Sequence, residues 1–241
     1  MRSVRSAVVV ADTGTPADVH DVHGAAGVAQ WACLARRAGL AGDWEAVEWV
    51  RLPPGGVSGE HRHTRTREVD VLLTGNGEIT LDGRPYAVGA GDAVLTAAGT
   101  RHGLRNLGAS ALERLVIELP AQWDTAAAVG STVIRDLRNA GPVDPSAVLG
   151  GPLRLLRFAR LAPGERDGHA ADGVEHTLFV TAGGGRAAAG NVRLPLRPGV
   201  ALTLPLGSVA DLADGPGGLE YVHAELVVER TAGEAAGGGA R

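Results

Sequence analysis

Gly55-Gly56-Val57-Ser58-Gly59-Glu60-His61-Arg62-His63-Thr64-Arg65-Thr66-Arg67-Glu68 decides the fold, and the residues after it, through Gly75 to His102, complete the pattern. His61 and His63 stand at i and i+2, so on a strand, where side chains alternate, both imidazoles share one face. The spacing places Glu68 on the strand returning from that hairpin. His102 adds a third imidazole from a later strand. Two imidazoles and a carboxylate from one hairpin, with a further imidazole from elsewhere, form a donor set suited to a divalent first-row ion.

The stretch resembles the first motif of the cupin superfamily, G-x5-H-x-H-x(3,4)-E-x6-G, at Gly55, His61, His63, Glu68 and Gly75. The second motif, G-x5-P-x-G-x2-H-x3-N, is matched by Gly91, Gly99, His102 and Asn106, with Ala97 where the family has proline. Ala97 is not a ligand, so its cost falls on local rigidity. The resemblance implies an all-β chain of cupin jelly-roll barrels and a metal held by His61, His63, Glu68 and His102. Iron or manganese is the expected ion, with zinc, nickel, copper or cobalt as alternatives.

Shifting the chain by 108 residues pairs His61 with His169, Gly75 with Gly183, Gly91 with Gly199, Gly99 with Gly207 and Ala97 with Pro205. The same shift pairs His63 with Ala171, Glu68 with His176 and His102 with Ala210, so the second copy keeps the frame and loses most of the ligands. His169 and His176, even with Asp172 or Glu175 to help, read as remnants, and His223 as a packed or surface residue of an alternating strand. The expected layout is two tandem barrels, 1–120 with the metal site and 151–230 degenerate, joined by a helical linker over 121–150 and followed by a flexible tail over 231–241. Within the linker, Val133, Ile134 and Leu137 are expected on one helical face.

Short apolar or alternating runs carry the strand reading: Ser6 to Ala11, Val28 to Ala35, Ala46 to Leu52, Val69 to Leu73, Ile79 to Leu81, Ala93 to Thr96 and Leu112 to Leu119. Gly75-Asn76-Gly77 and Asp82-Gly83 mark hairpin turns. Around the ligands, Asp70 and Leu72 share Glu68's strand face by parity, and Trp49 and Glu113 are further candidates for the pocket. Arg51 and Arg105 are candidates for holding a substrate carboxylate. His20 and His23, in a polar run, read as a solvated loop.

Composition removes several chemistries. The 23 basic residues are all arginine, which excludes a lysine Schiff base. With one cysteine, Cys33, the chain can form neither an internal disulfide nor a thiolate metal knuckle. A formal charge of −4 without basic clusters gives no footprint for nucleic acid, and no apolar run is long enough to cross a bilayer. The default compartment is the cytoplasm, the expected partner is a small-molecule substrate, and a homodimer is compatible with this organisation.

Three imidazoles and one carboxylate leave an octahedral ion with two adjacent open positions. Metal-bearing cupins of this kind are most often dioxygenases, so the resemblance implies oxidative cleavage of a small oxygenated molecule, with Glu68, Asp70, Trp49, Arg51 and Glu113 as candidate catalytic residues. The alternatives are a non-redox isomerase, lyase or cyclase using the ion as Lewis acid, and a ligand-binding barrel without turnover.

Overall fold

The computed structural model describes residues 7–21, 23–121 and 130–228. The chain begins with β1 (Val9–Asp12), β2 (Ala17–Val19), β3 (Ala29–Arg36), β4 (Ala46–Leu52), β5 (Val57–Arg62) and β6 (Thr66–Thr74). It continues through β7 (Asn76–Leu81), β8 (Arg84–Gly89), β9 (Ala93–Thr96), β10 (Arg101–Asn106), β11 (Leu112–Pro120) and β12 (Thr132–Ile134). Two single helical turns, α1 (Leu137–Ala140) and α2 (Ser146–Leu149), lead to β13 (Leu153–Leu161), β14 (Arg166–Ala170), β15 (Val174–Ala189), β16 (Val192–Leu196), β17 (Val200–Leu204) and β18 (Val209–Val227). The all-β jelly-roll expectation holds. Among the described residues, hydrogen bonding does not close either module into a complete barrel.

In the first module a seven-stranded sheet, β12-β9-β6-β11-β4-β3-β2, faces a four-stranded sheet, β5-β10-β7-β8. Leu52, Leu72, Ile79, Leu81, Val94, Leu104 and Leu112 fill the space between them. The second module is one strongly bent sheet in which the long β15 and β18 pair with each other and carry β13, β14, β16 and β17 on their flanks. Its interior is filled by residues such as Leu178, Leu202, Leu212 and Tyr221.

The duplication is visible in backbone angles. Gly75 and Gly183 have φ of 78° and 72°, and Gly91 and Gly199 have 97° and 88°. These left-handed values are cheap only for glycine, so the frame that survives between copies is the one the turns require.

The modules share a core. The outer face of the first module's large sheet, with Val47, Trp49, Val71, Leu115 and Ile117, packs into one apolar cluster with Phe158, Phe179, Val222, Ala224 and Leu226. Glu175 adds a polar fastening. Its buried carboxylate accepts hydrogen bonds from the N–H groups of Ala41 (2.9 Å), Gly42 (3.0 Å) and Leu206 (2.9 Å) and from Trp44 Nε1 (3.0 Å). It therefore has no part in a metal site.

The junction differs from the expected helical linker. Thr132–Ile134 is a strand that extends the first module's sheet beside β9, so Val133 and Ile134 lie on no helical face. Their β-branched side chains favour that extended edge. Residues 122–129 of the expected linker lie outside the described residues; among the described ones only Leu137–Ala140 and Ser146–Leu149 are helical, and Leu137 and Leu149 are buried in the shared core. Near the start of the chain β1 pairs with β17, so residues 9–12 belong to the second module's sheet. The tail expected over 231–241 lies outside the described residues. Among the described residues no helix is long and apolar enough to cross a membrane.

Candidate metal centre

His61 lies near the end of β5 and His102 on β10, where the two residues are direct cross-strand partners. His63 follows β5, and Glu68 belongs to β6, in the opposite sheet. The chain thus turns a corner between sheets where a simple hairpin was expected, and the four side chains meet between the two sheets, with Glu68 and His102 buried.

The four donors converge. His61 Nε2 lies 2.7 Å from His63 Nε2 and 3.2 Å from His102 Nε2, and His63 Nε2 lies 3.2 Å from a Glu68 carboxylate oxygen. With metal–nitrogen bonds of about 2.1 Å, donors at right angles stand about 3 Å apart. The geometry therefore fits an octahedral first-row ion. The outer ring nitrogens point the same way: His61 Nδ1 donates to the Gly59 carbonyl at 2.9 Å, and His63 Nδ1 contacts Thr66 Oγ1 at 2.9 Å. A proton fixed on Nδ1 leaves the Nε2 lone pair facing the centre.

Electrostatics favours neutral rings at His61 and His102 and an anionic Glu68, which pulls His63 the other way. Burial lowers the His61 pKa and brings His102 down to about 4, whereas the Glu68 carboxylate beside it raises that of His63. Glu68 is buried, yet His63, His102 and Arg114 hold its pKa below the usual carboxylate range. Arg114, 8% exposed, lies 3.3 Å from Glu68 and makes a close ion pair with Asp70. Burial and the neighbouring Glu68 push the Asp70 pKa well up, against the pull of Arg114.

Beside the donors opens a cavity of about 350 Å³, lined by Val50, Val57, Val116, Trp31, Glu48, His63, Arg114 and Glu118 among others. Trp31 Nε1 donates to Glu48 at 2.8 Å, which fixes one wall. His23 stacks on His61, ring centroids 3.9 Å apart and nearly parallel. Like His20, it is exposed in a loop, as expected, but its ring caps the centre from that turn.

The remaining candidates fall elsewhere. Trp49 and Glu113 line a separate cleft against the second module, with Phe179 and Thr181. Arg51 sits between Gln30 (2.9 Å) and Glu113 (3.6 Å) on that outer face. Alternation explains this: on β4 the residues at the cavity are Glu48, Val50 and Leu52, so Trp49 and Arg51 face away. Leu72 belongs to the inner core, and Arg105 is exposed. Asp70 shares Glu68's face but stands behind it, against Arg114. Arg114, Glu48, Trp31 and Glu118, which line the cavity, stand outside the motif spacing. Arg114, next to Glu113 at the start of the apolar run Leu115 to Ile117, was the readable signal.

Two motif residues act structurally. Asn106 donates from Nδ2 to the carbonyls of Leu52, Pro53 and Ser110 at 2.9–3.0 Å, pinning the loop before β5. Ala97, lacking the family proline, has an N–H to satisfy, and donates it to Ser131 Oγ at 3.0 Å.

Residues 48–118 match the cupin domain family. The oxalate-binding protein of Thermotoga maritima is 27% identical over 117 residues, which cover 48% of this chain and 97% of that protein. Among solved structures, the protein Ylba from E. coli superposes with a TM-score of 0.78 at 11% identity, over 94% of this chain and 93% of that one. A salicylate 1,2-dioxygenase from Pseudaminobacter salicylatoxidans does so with a TM-score of 0.64 at 14% identity, over 81% and 75%. Residues 48–118 thus match a cupin domain, and the chain as a whole has the two-module cupin jelly-roll fold.

Proposed function

We propose that this chain is a metal-dependent enzyme acting on a small oxygenated organic molecule, by oxidative cleavage of the dioxygenase type. The observation that carries the reading is the convergence of His61, His63, Glu68 and His102 at octahedral spacing beside a cavity of about 350 Å³. An ion held by these four residues would supply a Lewis-acid centre with adjacent open positions and, if redox-active, one-electron exchange with dioxygen.

The chain's own residues do the rest. Val50, Val57 and Val116 give the cavity apolar walls that keep bulk water from a bound substrate. Arg114 holds Glu68 and Asp70 in place and offers the cavity a cation able to orient a substrate carboxylate or phenolate. His23 closes the side above His61. The name of the salicylate 1,2-dioxygenase shows this chemistry attached to the same fold, and that of the oxalate-binding protein points to small carboxylates as ligands.

Glu118 supports a second reading. This carboxyl on the cavity wall is the cross-strand partner of Glu68, placed to take or return a proton as a Lewis-acid isomerase, lyase or cyclase requires. Turnover of hydroxybenzoates, catechols, 2-hydroxy acids and oxalate, compared in air and under nitrogen, separates the two. Loss of turnover without oxygen and after zinc replacement supports oxidative cleavage. Equal rates in air and nitrogen overturn it in favour of the Lewis-acid reading, and tight binding without product indicates a binding protein.

A further inference from the structure

The second module keeps three buried histidines, of which motif spacing accounts for two. His169 on β14, His176 on β15 and His223 on β18 are 5%, 4% and 3% exposed, and each offers a ring nitrogen within 4.8 Å of those of the others. Their ring centroids are separated by 4.7, 5.2 and 5.6 Å. The three imidazoles of the first centre give 4.4, 4.6 and 5.2 Å.

His223 is the novel member. The position matching His102 is Ala210, paired with His169 as His102 is with His61. His223 instead pairs with Leu178, as Val116 pairs with Asp70 in the first module. It therefore occupies the place of a cavity-wall valine, at the far end of β18 from the position of the lost ligand.

We propose that His169, His176 and His223 form a second metal site, built on a donor the first site does not use. Three imidazoles with no carboxylate among them select a nitrogen-preferring divalent ion, zinc, nickel or copper, over manganese. His176 is already oriented: its Nε2 lies 3.2 Å from the Ala170 carbonyl, which can only accept, so the Nδ1 lone pair faces His223 Nε2 at 3.1 Å. The rim carries the balancing charge. Asp167 lies 3.4 Å from His169, and Glu225 lies 3.7 Å from His176. Arg157 opposes the ion, because its Nε donates to His223 Nδ1 at 3.3 Å and so favours a proton on the inward Nε2. The Arg157 side chain is 34% exposed, which leaves it room to swing outward. The burial of all three rings makes the ion a structural one, tying β14, β15 and β18 together.

The full-length chain, stripped with a chelator and titrated separately with zinc and nickel, tests this by metal count per folded chain. The wild type is expected to bind two equivalents, His102→Ala one, His223→Val one and the double variant none, with Arg157→Met tightening the second equivalent. Saturation of the wild type at one equivalent, or two equivalents retained by His223→Val, overturns the proposal. If His223→Val fails to fold, the count in a folded chain carrying His61→Ala, His63→Ala and His102→Ala, which leaves the first centre no imidazole, decides alone: one equivalent supports the second site, and none overturns it. These counts do not involve turnover, so they stand apart from the reading of the first centre.

Discussion

The ring of His23 lies parallel to that of His61, their centroids 3.9 Å apart and their planes inclined by 8°. A residue on a turn, with φ of 55°, thereby becomes the outer wall of a centre whose ligands come from β5, the connection after it, β6 and β10. Stacked rings contribute about 0.5–1.5 kcal/mol beyond burial. His23→Ala should therefore leave metal stoichiometry unchanged and raise KM or ligand Kd by roughly 2- to 10-fold, measured by ligand titration of the metal-loaded chain. Loss of metal in that variant would make His23 a ligand.

Arg114 stands between two buried carboxylates. Arg114→Leu leaves Asp70 and Glu68 facing each other without their cation, and the expected loss is about 3–5 kcal/mol in urea denaturation of the metal-free chain. Adding Asp70→Asn should restore a substantial part of it. A single variant as stable as the wild type would show that the ion pair carries no net stability.

Stability of the metal-free chain should fall on acidification. Burial brings His102 and His169 to about 4 and His223 to about 2, below the ordinary 6.5. The unfolded chain then binds more protons than the folded one below about 6.5. The stability held by these neutral rings is complete above that pH and is lost as pH falls toward 4. His223→Gln should flatten the profile between pH 6.5 and 4, read from urea midpoints at each pH. A slope of opposite sign would show the rings to be charged in the folded state.

Glu175 should matter more than its surroundings suggest. Glu175→Gln turns one acceptor oxygen into a donor against the N–H groups of Ala41, Gly42, Leu206 and Trp44, leaving buried donors unsatisfied. The expected cost is about 2–4 kcal/mol, followed by Trp fluorescence in denaturant. Trp44 should shift to the red early in unfolding if the fastening opens before the cores.

The ligands of the first centre were legible because strand parity and fixed spacing constrain neighbours within one segment. Parity does not carry from strand to strand without the register. Glu113 and Arg114 show this: a bulge at that point shifts the pairing of β11 with β6, and the inward side chain is the arginine. Trp49 and Arg51 miss the cavity by a single residue for the same reason. His223 could not be found from spacing, since it shares no motif with His169 or His176 and reaches them only through the pairing of β15 and β18. The repeat itself was readable from glycines, whose φ angles no other residue supplies as cheaply.

The apolar back of the first module has a consequence for the chain as a heritable unit. A sheet whose outer face carries Val47, Trp49, Val71, Leu115 and Ile117 would be sticky in water if severed from its twin. Truncation is thereby closed as an evolutionary route, whatever happens to the histidines of the second copy. Selection against aggregation alone is enough to keep that copy, which leaves its interior free to drift into a site its twin does not have.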